Sequence, residues 1–367
     1  MIKVVLLSSA SSIHTIQWAK YLIEQELDVH IISQHPISED LAHNIKVTLL
    51  PYKGLLGYFL NTFSLKKILK EINPDIVNAH YASGYGTTAR LANFHPYVLS
   101  VWGSDVFEFP YRSFLHKSLL EKNLASADMI ASTSQSMAIQ TKKYIDNIKS
   151  LEITPFGVDL EKFNTFNTGH TNKENNLITI GTVKTLKHIY GIDILLRALA
   201  ILYHKLNIEN SKICNRLQFR IVGGGPDLEK LKELSVELKI DHITTFVGAV
   251  MHEHVPNELE KLDIYVALSR QESFGVAVIE AQAMGLPVVV SNVGGLPEVV
   301  KDNQTGFVVE SENPQQAADM LEKLVLDTQL RQQMAKEAHK FVYENFSWQI
   351  CAQIMKKVYQ KTLQHLK

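Results

Sequence analysis

Cysteine is nearly absent from this 367-residue chain, with Cys214 and Cys351 the only two. Each lies in an apolar-periodic segment at no paired spacing, which excludes a disulfide framework and a thiolate zinc site and fits a reduced, cytoplasmic compartment. A surplus of charge is missing as well. With 37 Lys and Arg against 38 Asp and Glu, nothing in the balance asks for nucleic acid or another polyanion. No stretch approaches the ~20 apolar residues that a bilayer crossing needs. Met1–Leu7 has one lysine and a four-residue apolar run, short of the ~7–15 apolar residues of a secretory signal, and reads as a first strand. These absences predict a cytoplasmic protein and leave open a peripheral seat on the inner face of a membrane.

Length and alternation are what the chain does have. At roughly 100–200 residues per domain, two domains are expected, each with material for its own core. Short apolar runs bounded by turn residues alternate with segments of helical period, the pattern of parallel βαβ units. In the first half, strands are expected at Lys3–Leu7, Val29–Ser33, Lys46–Leu49, Ile76–His80, Tyr97–Val101, Met129–Ser132 and Ser150–Thr154. The second half starts afresh with Leu177–Thr182, Leu217–Val222, Ile243–Val247, Ile264–Ala267, Val288–Ser291 and Gly306–Val309. Phe163 to Asn176 is polar, rich in Asn and Thr and without period, and reads as a linker. The expected fold is therefore α/β, with two Rossmann-like, doubly wound parallel-sheet domains over residues 1–165 and 166–346. They are expected to face each other across a cleft at the carboxyl ends of their strands, where open α/β sheets place ligands. Residues 347–367 read as an amphipathic helix with Ser347 at its N-cap, which either completes the second domain or crosses back to the first.

Chemistry concentrates in Ala267–Gly295, where a strand ends near Leu268 and a helix begins near Phe274–Gly275. Amides at a helix start, with the macrodipole behind them, attract anions, so Phe274, Gly275 and Val276 are candidates to hold a phosphate. Glu272 stands just outside this helix and Glu280 about 1.5 turns into it, so the two are better placed to straddle one ligand than to act side by side. A carboxylate accepts two hydroxyls at once, which suits a ribose or sugar diol. Taken alone, Glu272 reads more simply as a helix-start acid and Glu280 as a solvent-facing residue.

The full string resembles the signature of the family 4 retaining glycosyltransferases, which share the two-domain GT-B fold. The match runs through Glu272, Glu280, Ala281, Ala283, Gly285, Pro287, Val288, Val289, Gly294 and Gly295, then Glu298 and the Thr305–Gly306 turn. Pro155–Asp159, the Val222–Pro226 glycine turn, and Asp263 with Ser269 extend the resemblance over most of the chain. It implies that Glu280 binds the ribose of a sugar nucleotide and that Glu272 contacts the donor sugar. Ser273, Phe274, Gly275 and Val276 would hold sugar and diphosphate, Gly223 would line the donor site, and Val250 would meet the base. It also implies cations after the first strand of the second domain, for which Lys184 and Lys187 are the candidates. Fixed positive charge at the departing diphosphate is strongest in a water-poor site, so no metal or other cofactor is expected. The glycine turn is no dinucleotide fingerprint, because Leu228 stands where G-x-G-x-x-G needs its third glycine.

Two strand ends of the first domain, His80–Gly86 and Val101–Asp105, carry polar clusters. The second resembles the family's His-Gly-x-Asp element with Trp102 in the place of the histidine. Trp cannot exchange a proton, so that role is absent or falls to Asp105 or His80. Asp105 is assigned to a donor or acceptor hydroxyl, with a helix N-cap as the plain alternative. His14, His80 and Trp102 are assigned to the acceptor, and for each histidine a packing role stays open. Residues 51–70 combine Leu55, Leu56, Tyr58, Phe59, Leu60 and Phe63 with Lys53, Lys66, Lys67 and Lys70 and no acid. Such a stretch either packs its apolar face on the sheet or rests on an anionic membrane to reach a lipid-linked acceptor.

The expected activity is transfer of a sugar from a nucleoside-diphosphate sugar to a hydroxyl acceptor with retention, in the making of a surface polysaccharide or glycolipid. Three alternatives stand beside it, of which a nicotinamide enzyme is opposed by the glycine spacing. Of the other two, one is a nucleotide-sugar epimerase of the same architecture; the other is a catalytically silent partner subunit, for which Trp102 is the argument.

Overall fold

The structure, a computed structural model, describes residues 1–39, 41, 45–145, 150–164 and 177–365. Two compact units divide the chain: Met1–Gly157 together with Trp348–Lys367, and Val158–Ser347.

In the first unit, seven strands form a parallel sheet in the order β3-β2-β1-β4-β5-β6-β7. They are β1 (Lys3–Leu7), β2 (Asp28–Ser33), β3 (Lys46–Leu49), β4 (Ile76–His80), β5 (Tyr97–Val101), β6 (Met129–Ser132) and β7 (Leu151–Ile153). The central strands are nearly unbroken apolar runs because helices cover both of their faces. Val4, Val5, Leu6 and Leu7 are fully buried, as are all five residues of β5 in effect, whereas β3 and β7 at the edges are half-exposed.

The second unit repeats the plan with β8 (Ile178–Val183), β9 (Leu217–Val222), β10 (Thr244–Gly248), β11 (Ile264–Ala267), β12 (Val288–Ser291) and β13 (Gly306–Val309). Their order is β10-β9-β8-β11-β12-β13, again parallel. In both sheets the first strand of the unit pairs with the second on one side and with the fourth on the other. The direction of winding therefore reverses between β1 and β4 and between β8 and β11, and crevices outside the carboxyl ends of such strands are where open α/β sheets bind ligands.

The first unit ends at Gly157, ahead of the expected boundary at 165, because the next residues are already tied to the second. Val158 N–H donates to Phe346 O at 2.8 Å, and Phe163 is fully buried. Most of the expected linker, residues 165–176, lies outside the described residues. The helix Trp348–His365 packs on the first unit: Asn78 Nδ2 donates to Tyr359 Oη at 2.8 Å, Lys356 Nζ to Gln25 O at 2.7 Å, and Lys361 pairs with Glu152. A helix appears at Thr328–Asn345, where none was expected, and residues 51–70 hold two, Gly54–Leu60 and Thr62–Ile72. No helix among the described residues is long and apolar enough to cross a membrane.

Candidate active site

At the switch point of the second sheet, Lys184 follows β8 directly and Glu272 lies in the loop after β11. Lys184 Nζ and Glu272 Oε2 are 2.6 Å apart, with both side chains largely buried. Burial alone pulls the ammonium down, but the Glu272 carboxylate, with Tyr265 and Tyr190 beside it, outweighs that and holds Lys184 above an ordinary lysine. Its ammonium also sits 4.4 Å from the centre of the Tyr190 ring.

Backbone packing places the pair. Gly223 has φ +145° and lies so close to the Lys184 carbonyl oxygen that a Cβ would stand 1.9 Å from it. Gly294, at φ +53°, lies against the Glu272 carbonyl, where a Cβ would stand 1.7 Å away. Gly295 N–H then donates to that same carbonyl at 3.1 Å. One glycine turn thus supports each member of the pair. Arg270 fastens the loop from the other side: its guanidinium donates to both oxygens of Asp193 at 2.7 and 2.8 Å, to the His188 carbonyl at 2.8 Å and to Glu312. Those charge-assisted bonds to Asp193 hold Arg270 above its ordinary range.

Past this loop Gly275, at φ +110°, opens the helix Val276–Ala283. The first amides of a helix have no acceptor within it, so Gly275, Val276 and Ala277 present N–H groups at the site. The Phe274 side chain itself is buried and edges onto Phe346 at 5.8 Å. Glu280 is buried on the same helix, and its Oε1 lies 3.0 Å from Nε2 of His252. His252 Nδ1 is in turn 2.9 Å from Lys162 Nζ. Val250 stands partly exposed just before the His252–His254 turn. Gly248 at the end of β10 accepts from Gly223 N–H at 2.8 Å, joining this loop to the glycine turn.

Lys187 has different surroundings from Lys184. It is exposed and lines a groove between the helices Ile192–Glu209 and Leu228–Glu237, together with Asp193, Arg197, Asp227 and Lys230. Lys184 is not part of that groove.

At the switch point of the first sheet the strand ends carry an aromatic cluster. The Trp102 ring is 4.4 Å from His80, 5.3 Å from Tyr81, 5.3 Å from Phe156 and 5.9 Å from His14, and His14 stacks on Phe156 at 4.2 Å. His80 is fully buried, with Nδ1 2.9 Å from Ser8 Oγ and, among the described residues, no hydrogen-bond partner for Nε2. Burial, with His14 nearby, pushes it down to about 3, so it is a neutral imidazole at any working pH. Asp105 is buried too. Its carboxylate accepts the backbone N–H groups of Ala82 at 2.9 Å, Gly103 at 2.8 Å and Trp102 at 3.2 Å. Burial raises its pKa above the usual carboxylate value, and these amides oppose the rise. Asp105 thus ties the loop after β4 to the loop after β5. These backbone amides are the partners seen at the carboxylate for which a hydroxyl contact is expected.

Comparison with known proteins gives this site a family. The model described as glycosyl transferases group 1 matches residues 164–341, and the one described as glycosyl transferase 4-like matches residues 3–134. The chain belongs to the family 4-like glycosyltransferases of the GT-B fold. A glycosyltransferase of Methanocaldococcus jannaschii is 25% identical over 354 residues, 92% of this chain and 91% of the relative. The D-inositol 3-phosphate glycosyltransferase of Corynebacterium jeikeium is 31% identical over 242 residues, covering 64% of this chain but only 57% of the relative. Among solved structures, sucrose-phosphate synthase from Thermosynechococcus elongatus superposes over the whole of both chains with a TM-score of 0.81 at 18% identity. Anabaena HepE in complex with UDP-glucose gives 0.78 at 18% identity, over 98% of this chain and all of that one.

Two residues of this glycosyltransferase escaped the sequence reading. Arg270 carried a faint signal, a lone cation two positions before Glu272. His252 carried none that one sequence could reveal, because its link to Glu280 spans 28 positions. The Gly294 contact yields a direct prediction. Gly294→Ala forces both a left-handed alanine and a clash with the Glu272 carbonyl, and should cost about 2–4 kcal/mol. Thermal melts report the loss, and nucleotide titration of the folded fraction reports the displaced Glu272 loop.

Proposed function

We propose that this glycosyltransferase transfers a sugar from a nucleoside-diphosphate sugar to a hydroxyl acceptor with retention at the anomeric carbon. The observation that carries the reading is the Lys184–Glu272 pair at the switch point, set beside helix-start amides and the buried Glu280. The amides of Gly275, Val276 and Ala277 take the diphosphate, Glu280 takes the ribose diol, Val250 borders the base, and Glu272 meets the donor sugar. Lys184 turns from Glu272 toward the β-phosphate, and exposed Lys187 adds charge from the loop. As the bond from the anomeric carbon to the phosphate oxygen breaks, negative charge collects where Lys184 stands. The acceptor hydroxyl enters on the same face, bonds to that carbon, and gives its proton to the departing phosphate oxygen. The reading assigns no metal and no cofactor.

His14, Tyr81 and Trp102 supply a floor for the acceptor, and the buried, neutral His80 supports it from against the Trp102 ring. Against the silent-subunit reading stands the presence of Glu272, Glu280, Lys184 and Lys187 together, although Trp102 brings no proton-exchanging group to its place. The test is incubation with UDP-, GDP- and ADP-sugars and an alcohol acceptor panel, with product configuration read by proton NMR. An α-linked product from an α-linked donor supports retention. An inverted product, or free sugar with no transfer to any acceptor, contradicts it.

The acceptor is proposed to be lipid-linked, at the face formed by residues 51–70. Leu55, Leu56 and Phe63 are 83%, 73% and 83% exposed, so they do not pack on the sheet, and Phe114 and Leu115 stand out equally at 81% and 76%. Gly54–Leu60 and Phe114–Ser126, the helices carrying most of them, both pack against Tyr85–Ala92. Each apolar side chain inserted is worth ~1.5–3 kcal/mol, and each nearby lysine about 1 kcal/mol at an anionic surface. Leu55→Glu with Phe63→Glu should lower the fraction sedimenting with phosphatidylglycerol vesicles at least ~10-fold. Equal sedimentation of variant and wild type removes this part of the reading.

A further inference from the structure

The carboxylate assigned to the ribose is already occupied by the chain itself. Glu280, with a side chain only 10% exposed, is met by His252, whose side chain is 44% exposed. Lys162 settles the histidine's tautomer. An ammonium can only donate, so Nδ1 accepts from Lys162 at 2.9 Å and Nε2 carries the proton that it donates to Glu280 at 3.0 Å. The contact answers a physical need, because a buried carboxylate without a partner is costly. It is also easily broken. His252 opens a single turn of three residues, and its only ring neighbour among the described residues is the Phe163 edge at 5.9 Å.

We propose that His252 is a reversible stand-in for the ribose, its Nε2–H holding Glu280 in the empty site and yielding to the 2′- and 3′-hydroxyls of the arriving nucleotide. This rests on the reading of Glu280 as the ribose ligand. The stand-in keeps the helix Val276–Ala283 and its carboxylate in place between turnovers. It also competes with every nucleotide that carries the diol.

Calorimetric titration tests this, with whichever of UDP, GDP and ADP binds best and with its 2′,3′-dideoxy counterpart. His252→Ala should bind the ribonucleotide about 3–10-fold tighter and leave the dideoxy affinity unchanged, as expected when a single hydrogen-bonded competitor is removed. Lys162→Met, which frees the tautomer, should give a smaller gain of the same sign. Weaker ribonucleotide binding by His252→Ala, or an equal gain for the dideoxy form, overturns the proposal. Glu280→Ala separates the two layers. If it no longer distinguishes ribo- from dideoxynucleotide, Glu280 is the ribose ligand and the His252 result stands on its own. If it distinguishes them as well as wild type does, the Glu280 assignment fails and the stand-in fails with it.

Discussion

Glu280→Ala should lower nucleoside-diphosphate affinity by about 10²-fold with little change in melting temperature. Two hydroxyls bonded to an ionised carboxylate are worth ~1.5–3 kcal/mol each, and the bond surrendered by His252 offsets part of that sum. What remains is about 3 kcal/mol, or two powers of ten at ~1.4 kcal/mol each. Stability should change little, because the truncation removes the buried carboxylate itself and leaves its partner His252, nearly half exposed, free to turn to water. Titration calorimetry with nucleotide and a thermal melt of the same sample measure both quantities. An affinity loss that arrives with a large drop in melting temperature would mean that Glu280 holds the fold rather than the ribose.

Lys184→Met should have the larger effect on turnover, a fall of ~10²–10³-fold, the scale of removing one fixed charge or donor aimed at a developing oxyanion. Donor affinity should fall less, since the helix-start amides still hold the diphosphate. The variant also leaves Glu272 largely buried without its cation, a loss of about 3 kcal/mol. That corresponds to a melting point lower by roughly 6–12 °C at ~2–4 °C per kcal/mol. Glu272→Gln removes the stranded charge and should recover stability without recovering turnover. Single-turnover rates at saturating donor, measured beside the melts, separate the two consequences. Turnover unchanged in Lys184→Met would take the lysine out of the chemistry.

The strands were legible to within a residue or two because parallel strands buried on both faces are short apolar runs that little else imitates. Helices were less so where burial is narrow. Thr328–Asn345 buries only Met334, Ala338 and Val342, one residue per turn, so its 18 residues read as polar chain. Gly54–Leu60 buries only Gly57, and its leucines face outward, the reverse of the usual amphipathic signal. Among the candidate site residues, Glu272, Glu280 and the Gly294–Gly295 turn stood out because they share one short segment of fixed spacing. For Asp105 the sequence could not show its surroundings: three backbone donors converge on it only once the loops after β4 and β5 are folded. Lys184 and Lys187 looked alike in sequence, and only the strand end separates a buried ion pair from an exposed groove residue.

The most direct test of the central claim is a crystal structure of the full chain with its preferred nucleoside-diphosphate sugar. The account predicts ribose hydroxyls within hydrogen-bonding distance of Glu280, diphosphate oxygens on the amides of Gly275–Ala277, and Lys184 Nζ turned from Glu272 to the β-phosphate. A nucleotide bound elsewhere, with Lys184 still on Glu272 and Glu280 away from the ribose, would contradict it.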